Sequence, residues 1–167
     1  MWRFFGIFLA IQAVLFAAEL TAPVQRALVQ PLTGGLAAAS GVILGLVGRE
    51  VTTAGVVIQD LATPFAIEIA AGCNGVEAMI LLAAGMLAFP APWRYKLAGI
   101  LIGALAIQAL NLVRLVSLFL LGIWNQTAFE WAHLYVWQGL IMLDALLVWL
   151  LWIRRLPRPD AAASRPL

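Results

Sequence analysis

The chain has 167 residues, of which 64% are apolar and only 11% charged, and its formal net charge at pH 7 is +2. Soluble domains have about 45–50% apolar and about 25% charged residues, so the composition excludes a soluble enzyme, a disordered chain and a nucleic-acid binder. The single cysteine excludes a disulfide framework, an iron–sulfur cluster and a zinc site with several cysteines. The sequence therefore predicts an integral membrane protein.

Five apolar segments are long enough to enter a membrane. They cover approximately residues 4–20, 32–47, 76–89, 97–124 and 135–153. We expect helices, because backbone amides inside lipid must be bonded within their own segment. The first segment also resembles a signal peptide, with Ala17-Ala18 as a poor cleavage site, and we interpret it as an uncleaved anchor. The prediction is an all-α polytopic membrane protein with one membrane domain over residues 1–153.

Two parts of the chain do not look like lipid-embedded helix. Residues 49–72 contain four ionisable side chains and short β-prone runs, with Asp60 to Pro64 as a turn between two of them. This pattern predicts a small β-hairpin on the outer face of the membrane. Residues 154–167 contain three prolines and predict a disordered cytoplasmic tail.

The distribution of basic residues predicts the orientation. They cluster between the third and fourth segments and after the fifth, at Arg94, Lys96, Arg154, Arg155 and Arg158. The positive-inside rule places both clusters in the cytoplasm, so residues 49–72 and a loop at 124–133 face outward. Two alternatives remain for the N-terminal half. Five full spans put Met1 outside, whereas Arg3 favours the inside, with the second segment lying at the outer interface.

Three chemically active side chains reach one predicted depth. At about 1.5 Å per helical residue, Cys73 lies about 25 Å from Pro90, Arg114 about 27 Å from Lys96, and His133 about 31 Å from Arg154. The hydrocarbon core is about 30 Å thick. One Cys, one Arg and one His from three helices therefore converge on the outer boundary.

These residue types suit an activated thiol. The thiolate is the nucleophilic form of cysteine, and neighbouring positive charge favours it. His133 is a candidate general base and then general acid, and Arg114 is a candidate stabiliser of the thiolate or of an oxyanion. Such a site needs neither a metal nor a cofactor.

Neighbouring polar and small residues have candidate supporting roles. Gly75, with Gly72, would let a substrate backbone approach closely. Asn74 is a candidate either for capping the third helix or for donating to an oxyanion. Asn111 and Gln108 are candidates for orienting Arg114, because they lie one and two turns before it.

Other interpretations of the same residues remain open. In a non-enzymatic membrane scaffold or assembly partner, Cys73 would be inert, and Arg114 would form an ion pair with Glu77, Glu130 or Asp144. In a transporter, Gln108, Asn111 and Arg114 would line a path. We favour a structural hydrogen bond for Asp144. The chain lacks the motifs of rhomboid, aspartyl and zinc proteases.

Three ordered motifs resemble the exosortase/archaeosortase family, and most closely its small H-type members. They are Gly72-Cys73-Asn74-Gly75 with Glu77 following, Asn111-Leu112-Val113-Arg114, and His133. The resemblance covers nearly the whole chain. Many members have Arg at the position of Glu77, and this departure favours the H-type and a sorting motif beginning Ile-Pro-Thr.

The resemblance implies a bacterial inner-membrane cysteine peptidase/transpeptidase with its active site facing the periplasm. Its substrates would be exported proteins with a C-terminal tail made of a short Pro-containing motif, a transmembrane helix and a basic cluster. By motif match, Cys73 is the nucleophile, Arg114 the essential arginine and His133 the acid/base. A thioester acyl-enzyme would then pass to an amine, a lipid-linked acceptor or water. Membrane lipids are implied partners; nucleic acid is not.

Overall fold

The computed structural model describes residues 2–157 and has five helices and one small sheet. The helices are α1 (Trp2–Glu19), α2 (Ala22–Leu46), α3 (Val76–Ala88), α4 (Trp93–Trp124) and α5 (Gln126–Arg154). The strands are β1 (Val51–Ala54), β2 (Val57–Asp60) and β3 (Ala66–Glu68). The predicted all-α polytopic membrane fold with a small β element is confirmed, although the element has three strands. Met1 and residues 158–167, most of the predicted tail, lie outside the described residues.

Four helices are long and apolar enough to cross a membrane, namely α1, α2, α4 and α5, and α3 is a shorter apolar helix of 13 residues. All four begin earlier than predicted, and the difference is largest for α2 and α5. α2 starts at Ala22 rather than at residue 32 and contains a π-helical turn at Gln25–Val29. The polar side chains of this turn lower the local hydropathy, so the sequence pattern did not indicate that the helix starts there.

The predicted outer loop at residues 124–133 is wrong, because α5 already begins at Gln126. Asn125 is the only residue between α4 and α5. Its side-chain oxygen accepts a hydrogen bond from the backbone N–H of Ala128 at 2.9 Å. This N-cap satisfies one of the unpaired amides of the new helix and starts it immediately.

Aromatic contacts bring the first turn of α1 to the last turns of α3 and α5. The ring of Phe4 lies 6.2 Å from that of Phe89 and 6.4 Å from that of Trp149. Nearby, the indole N–H of Trp152 donates to the carbonyl of Tyr95 at 2.8 Å. We call this the basal end of the bundle. Both ends of the described chain therefore lie on one side, as in the alternative that Arg3 favours.

Small residues allow α4 to pack closely on its neighbours. A Cβ atom at Gly99 would overlap the ring of Trp152 on α5, and one at Gly103 would overlap the side chain of Leu82 on α3. Without a hydrophobic effect to drive helices together in lipid, such close backbone approach is a main source of packing energy.

The opposite end of the bundle, which we call the site end, carries the sheet and α2. The strands pair antiparallel in the order β1-β2-β3, and Gly41 of α2 lies against Thr53 of β1. One buried cluster joins α2, the sheet and the last third of α4, through Leu36, Ala37, Leu44, Ile58, Ile69, Leu115 and Phe119. α2 thus packs beside the last third of α4.

Candidate active site

The segment between β3 and α3 is a tight double turn that carries the only cysteine. The N–H of Cys73 donates to the carbonyl of Ala70 at 3.0 Å, which closes the first turn. Gly72 and Gly75 have φ angles of +82° and +76°. Glycine adopts these left-handed angles without the steric cost that a Cβ brings. The shape of the turn therefore explains both glycines, and the approach of a substrate backbone stays a prediction.

Side chains of α3 and the turn hold this segment in place. A carboxylate oxygen of Glu77 accepts the N–H of Gly72 at 2.7 Å. The side-chain oxygen of Asn74 accepts the N–H of Val76 at 3.1 Å. Both bonds satisfy donors that the start of α3 and the turn would otherwise leave unpaired.

Two further helices anchor the turn from the other side. The amide nitrogen of Asn74 donates to the hydroxyl of Thr33 on α2 at 3.2 Å, and Gln108 on α4 donates to the carbonyl of Asn74 at 3.0 Å. A Cβ at Gly75 would lie 3.2 Å from the amide nitrogen of Gln108. Both ends of the Asn74 side chain are thus in use, which fits a positioning role better than donation to an oxyanion.

The cysteine, the histidine and the arginine meet at this turn. Sγ of Cys73 lies 3.3 Å from Nε2 of His133, which belongs to a π-helical turn of α5. An Nη atom of Arg114 on α4 lies 3.5 Å from the same sulfur. Residues that are 41 and 60 positions apart in sequence are therefore in direct contact. The imidazole and the guanidinium therefore both contact one sulfur atom.

The surroundings fix both partners of the thiol. The ring of Phe129 stacks on that of His133 with centroids 5.6 Å apart and an interplanar angle of 28°. Arg114 is only 1% exposed. Within residues 2–157 the single salt bridge joins Arg49 and Asp60 at 3.8 Å, so Arg114 pairs with no carboxylate there.

The carboxylates predicted as alternative partners of Arg114 are engaged elsewhere or stand alone. Glu77 binds the backbone of Gly72, and Glu130 accepts from Gln126 at 3.1 Å. The buried carboxylate oxygen Oδ2 of Asp144 has no hydrogen-bond partner in the described part of the chain, so its predicted structural bond is wrong there. The charge of Arg114 is therefore directed at the sulfur.

Asn111 is not joined to Arg114, in contrast to the prediction. Its side chain is fully buried, and neither amide atom has a hydrogen-bond partner among residues 2–157. Gln108 likewise binds the cysteine turn instead of Arg114. The helical spacing correctly puts these side chains on neighbouring turns, but it does not decide which way each one points.

Sequence reasoning missed Thr33 and Phe129. Thr33 lies in a segment rich in Gly and Ala, 41 residues before Asn74, and no local pattern links the two. Phe129 lies four residues before His133, and this spacing on a helix could have indicated the stack. No group of three His, Cys, Asp or Glu side chains within residues 2–157 could hold a metal ion.

This arrangement defines a class of protein: a multi-pass membrane protein with a thiol, an imidazole and a guanidinium in contact at one end of its bundle. A family model described as transmembrane exosortase (Exosortase_EpsH) matches residues 2–152. The chain belongs to the transmembrane exosortase family, as the motifs predict. No curated protein and no solved structure matches it. Membership gives it, in general terms, the role of a membrane protease or transpeptidase.

Proposed function

We propose that the protein is a cysteine peptidase/transpeptidase that cleaves the C-terminal sorting tail of exported proteins at the outer face of the inner membrane. The observation that carries the proposal is the position of Sγ of Cys73, 3.3 Å from His133 and 3.5 Å from Arg114. A nucleophile within reach of a base and of an oxyanion stabiliser is the minimum set for acyl transfer.

The placement of the thiol fits a substrate held in the membrane. The cysteine turn and the basal end lie at opposite ends of α3. On α4, a rise of about 1.5 Å per residue puts Arg114 about 31 Å from the start of the helix at Trp93. This span equals the thickness of a hydrocarbon core. A tail helix beside the bundle, with its basic cluster at the basal end, would bring its sorting motif to Cys73.

The proposed reaction begins with transfer of the thiol proton of Cys73 to His133. The sulfur then attacks the scissile carbonyl, and the carbonyl electron pair moves to oxygen, where Arg114 stabilises the negative charge. As the tetrahedral intermediate collapses, the C–N bond breaks and His133 gives its proton to the leaving amine. The products of this half-reaction are a released amine and a thioester on Cys73.

The second half-reaction reverses these roles. His133 takes a proton from the acceptor, which is an amine or water, as the acceptor attacks the thioester carbonyl. The C–S bond breaks, the electron pair of the bond returns to the sulfur beside Arg114, and His133 gives the acceptor's proton back to the sulfur. An amine acceptor gives transpeptidation and water gives hydrolysis, with the enzyme returned unchanged in both cases.

Co-expression with a tail-bearing substrate in membranes tests the proposal. Wild type is compared with Cys73→Ala, Arg114→Ala and His133→Ala at matched protein levels, and the size of the substrate is followed. Arg94→Ala is the matched control, because Arg94 is an exposed arginine near the basal end. We expect cleavage by wild type and the control only. Cleavage by Cys73→Ala would overturn the thiol mechanism.

A further inference from the structure

The free edge of β3 lies next to the cysteine turn. β3 is the last strand of the sheet, and β2 pairs with one side of it only. Asp60 donates to the carbonyl of Phe65 at 2.9 Å, and Ile69 donates to the carbonyl of Val56 at 3.0 Å. Backbone groups alternate in direction along an antiparallel strand. Those of Ala66 and Glu68 therefore point away from β2.

The side chains along this edge leave room for another chain. Ala66, Glu68, Ala70 and Ala71 are all exposed, and three of the four are alanines. Proteins usually cover or interrupt an edge that presents unpaired N–H and C=O groups. In the described part of the chain no other strand pairs with β3.

The edge leads directly to the thiol. The turn closed by Ala70 and Cys73 brings their Cα atoms within about 7 Å of each other. Cys73 is thus close to the end of the strand, although four residues separate it from Glu68 in sequence.

The start of β3 lies on the side of the molecule that carries His133, whereas Glu68 and Ala70 line a cavity shared with Thr33 of α2. β1 and β2 contact α2, whereas Phe65, just before β3, lies against Phe119 of α4 and Phe129 of α5. Phe129 continues the contact by stacking on His133.

We propose that the free edge of β3 binds the substrate as a fourth strand, so that an extended peptide segment pairs with the backbone of Ala66 and Glu68 and delivers its scissile bond to Cys73. This inference rests on the proposed function. Backbone pairing supplies affinity in such strand addition, and alternate side chains of the added segment supply specificity. The ligand class is an extended, unfolded peptide.

The first test removes one donor from the edge and uses a substrate that wild type cleaves in the same membranes. Glu68→Pro deletes an outward N–H but no bond to β2, and an edge strand tolerates proline there. We expect the cleavage rate at limiting substrate to fall about tenfold. The N–H of residue 68 can no longer donate to the substrate, and the proline ring obstructs a second backbone hydrogen bond between the substrate and this edge. Glu50→Gln, which replaces an exposed carboxylate just before β1 at the other edge of the sheet, is the control and should stay within about twofold of wild type. Unchanged cleavage by Glu68→Pro would overturn the proposal.

A second test does not depend on the stability of the proline variant or on catalysis. In a Cys73→Ala background, Ala66→Cys is paired with single cysteines placed along the sorting motif of the same substrate. Directly opposed residues have Cβ atoms about 4.5–5.5 Å apart, so a disulfide should form at the substrate position opposite residue 66 and not at the two positions next to it in sequence. Thr52→Cys, exposed on β1 at the other edge, is the control and should form none.

The outcomes separate the two proposals. Failure of wild type to cleave any tail-bearing substrate counts against the proposed function. Cleavage by wild type without a disulfide at Ala66→Cys, or with equal disulfide formation at Thr52→Cys, overturns strand addition and leaves the proposed function intact.

Discussion

The backbone N–H of Gly72 donates to a carboxylate oxygen of Glu77 at 2.7 Å, so a side chain of α3 holds the residue just before Cys73. This bond explains what an acidic side chain does one turn after the cysteine. It also separates Glu77 from Arg114, with which an ion pair had been an alternative.

Replacement of Glu77 should weaken the site without removing any reacting group. We expect Glu77→Ala to lower the cleavage rate about tenfold, because a hydrogen bond to a charged group contributes about 1.5–3 kcal/mol. Glu77→Gln keeps an acceptor and should recover most of the rate. Time courses of substrate cleavage at matched protein levels measure both. Equal rates for Glu77→Ala and wild type would contradict this role.

The left-handed turn at Gly75 should not tolerate a side chain. Gly75→Ala adds a Cβ at φ +76° and 3.2 Å from Gln108, so we expect a loss of about 1–2 kcal/mol of stability. Gly139→Ala is the matched control, because it lies in α5 with nothing within 4 Å of the added atom. Thermal unfolding in detergent should show a lower midpoint for the first variant only.

Removal of the Arg114 guanidinium should lower the reaction rate more than removal of the Glu77 carboxylate. Loss of one oxyanion donor lowers the rate constant by about 10²–10³, and we expect this range for Arg114→Ala. Arg114→Lys keeps the positive charge but loses the planar guanidinium, so its rate should lie between those of wild type and Arg114→Ala. Single-turnover formation of the acyl-enzyme is the measurement. An unchanged rate for Arg114→Ala would exclude Arg114 from the chemistry.

The contact between α2 and the cysteine turn should be measurable at Thr33. Thr33→Val keeps the shape but leaves the amide of the buried Asn74 without this partner. The expected loss of stability is about 1–3 kcal/mol, with slower cleavage. Thr52→Val, on an exposed position of β1, should change neither quantity. Unfolding midpoints and cleavage rates can be compared on the same preparations.

The sequence predicted the membrane fold and the set of residues at the site better than it predicted their mutual contacts. Helical rise alone placed Cys73, Arg114 and His133 at one depth, because depth depends only on residue counts within regular helices. The start of α5 was missed because Asn125 interrupts the helix for a single residue.

Side-chain direction could not be obtained in the same way. Asn111 and Gln108 share a helix with Arg114, yet Gln108 binds the cysteine turn and Asn111 has no partner within residues 2–157. The contact of Thr33 with Asn74 joins segments 41 residues apart. Such contacts depend on how α2 folds over the last third of α4, and no local pattern in the sequence contains that information.

The uninterrupted length of α4 has a consequence for substrate choice in the proposed reaction. Its 32 residues form one rod without proline, which fixes the distance from the basal end to Arg114. The length of α4 therefore sets the distance that a substrate helix must span between the basal end and the site. A tail whose apolar stretch is several residues too short or too long would present its peptide bond below or above the sulfur, so the proposed reaction would select tails by length as well as by motif.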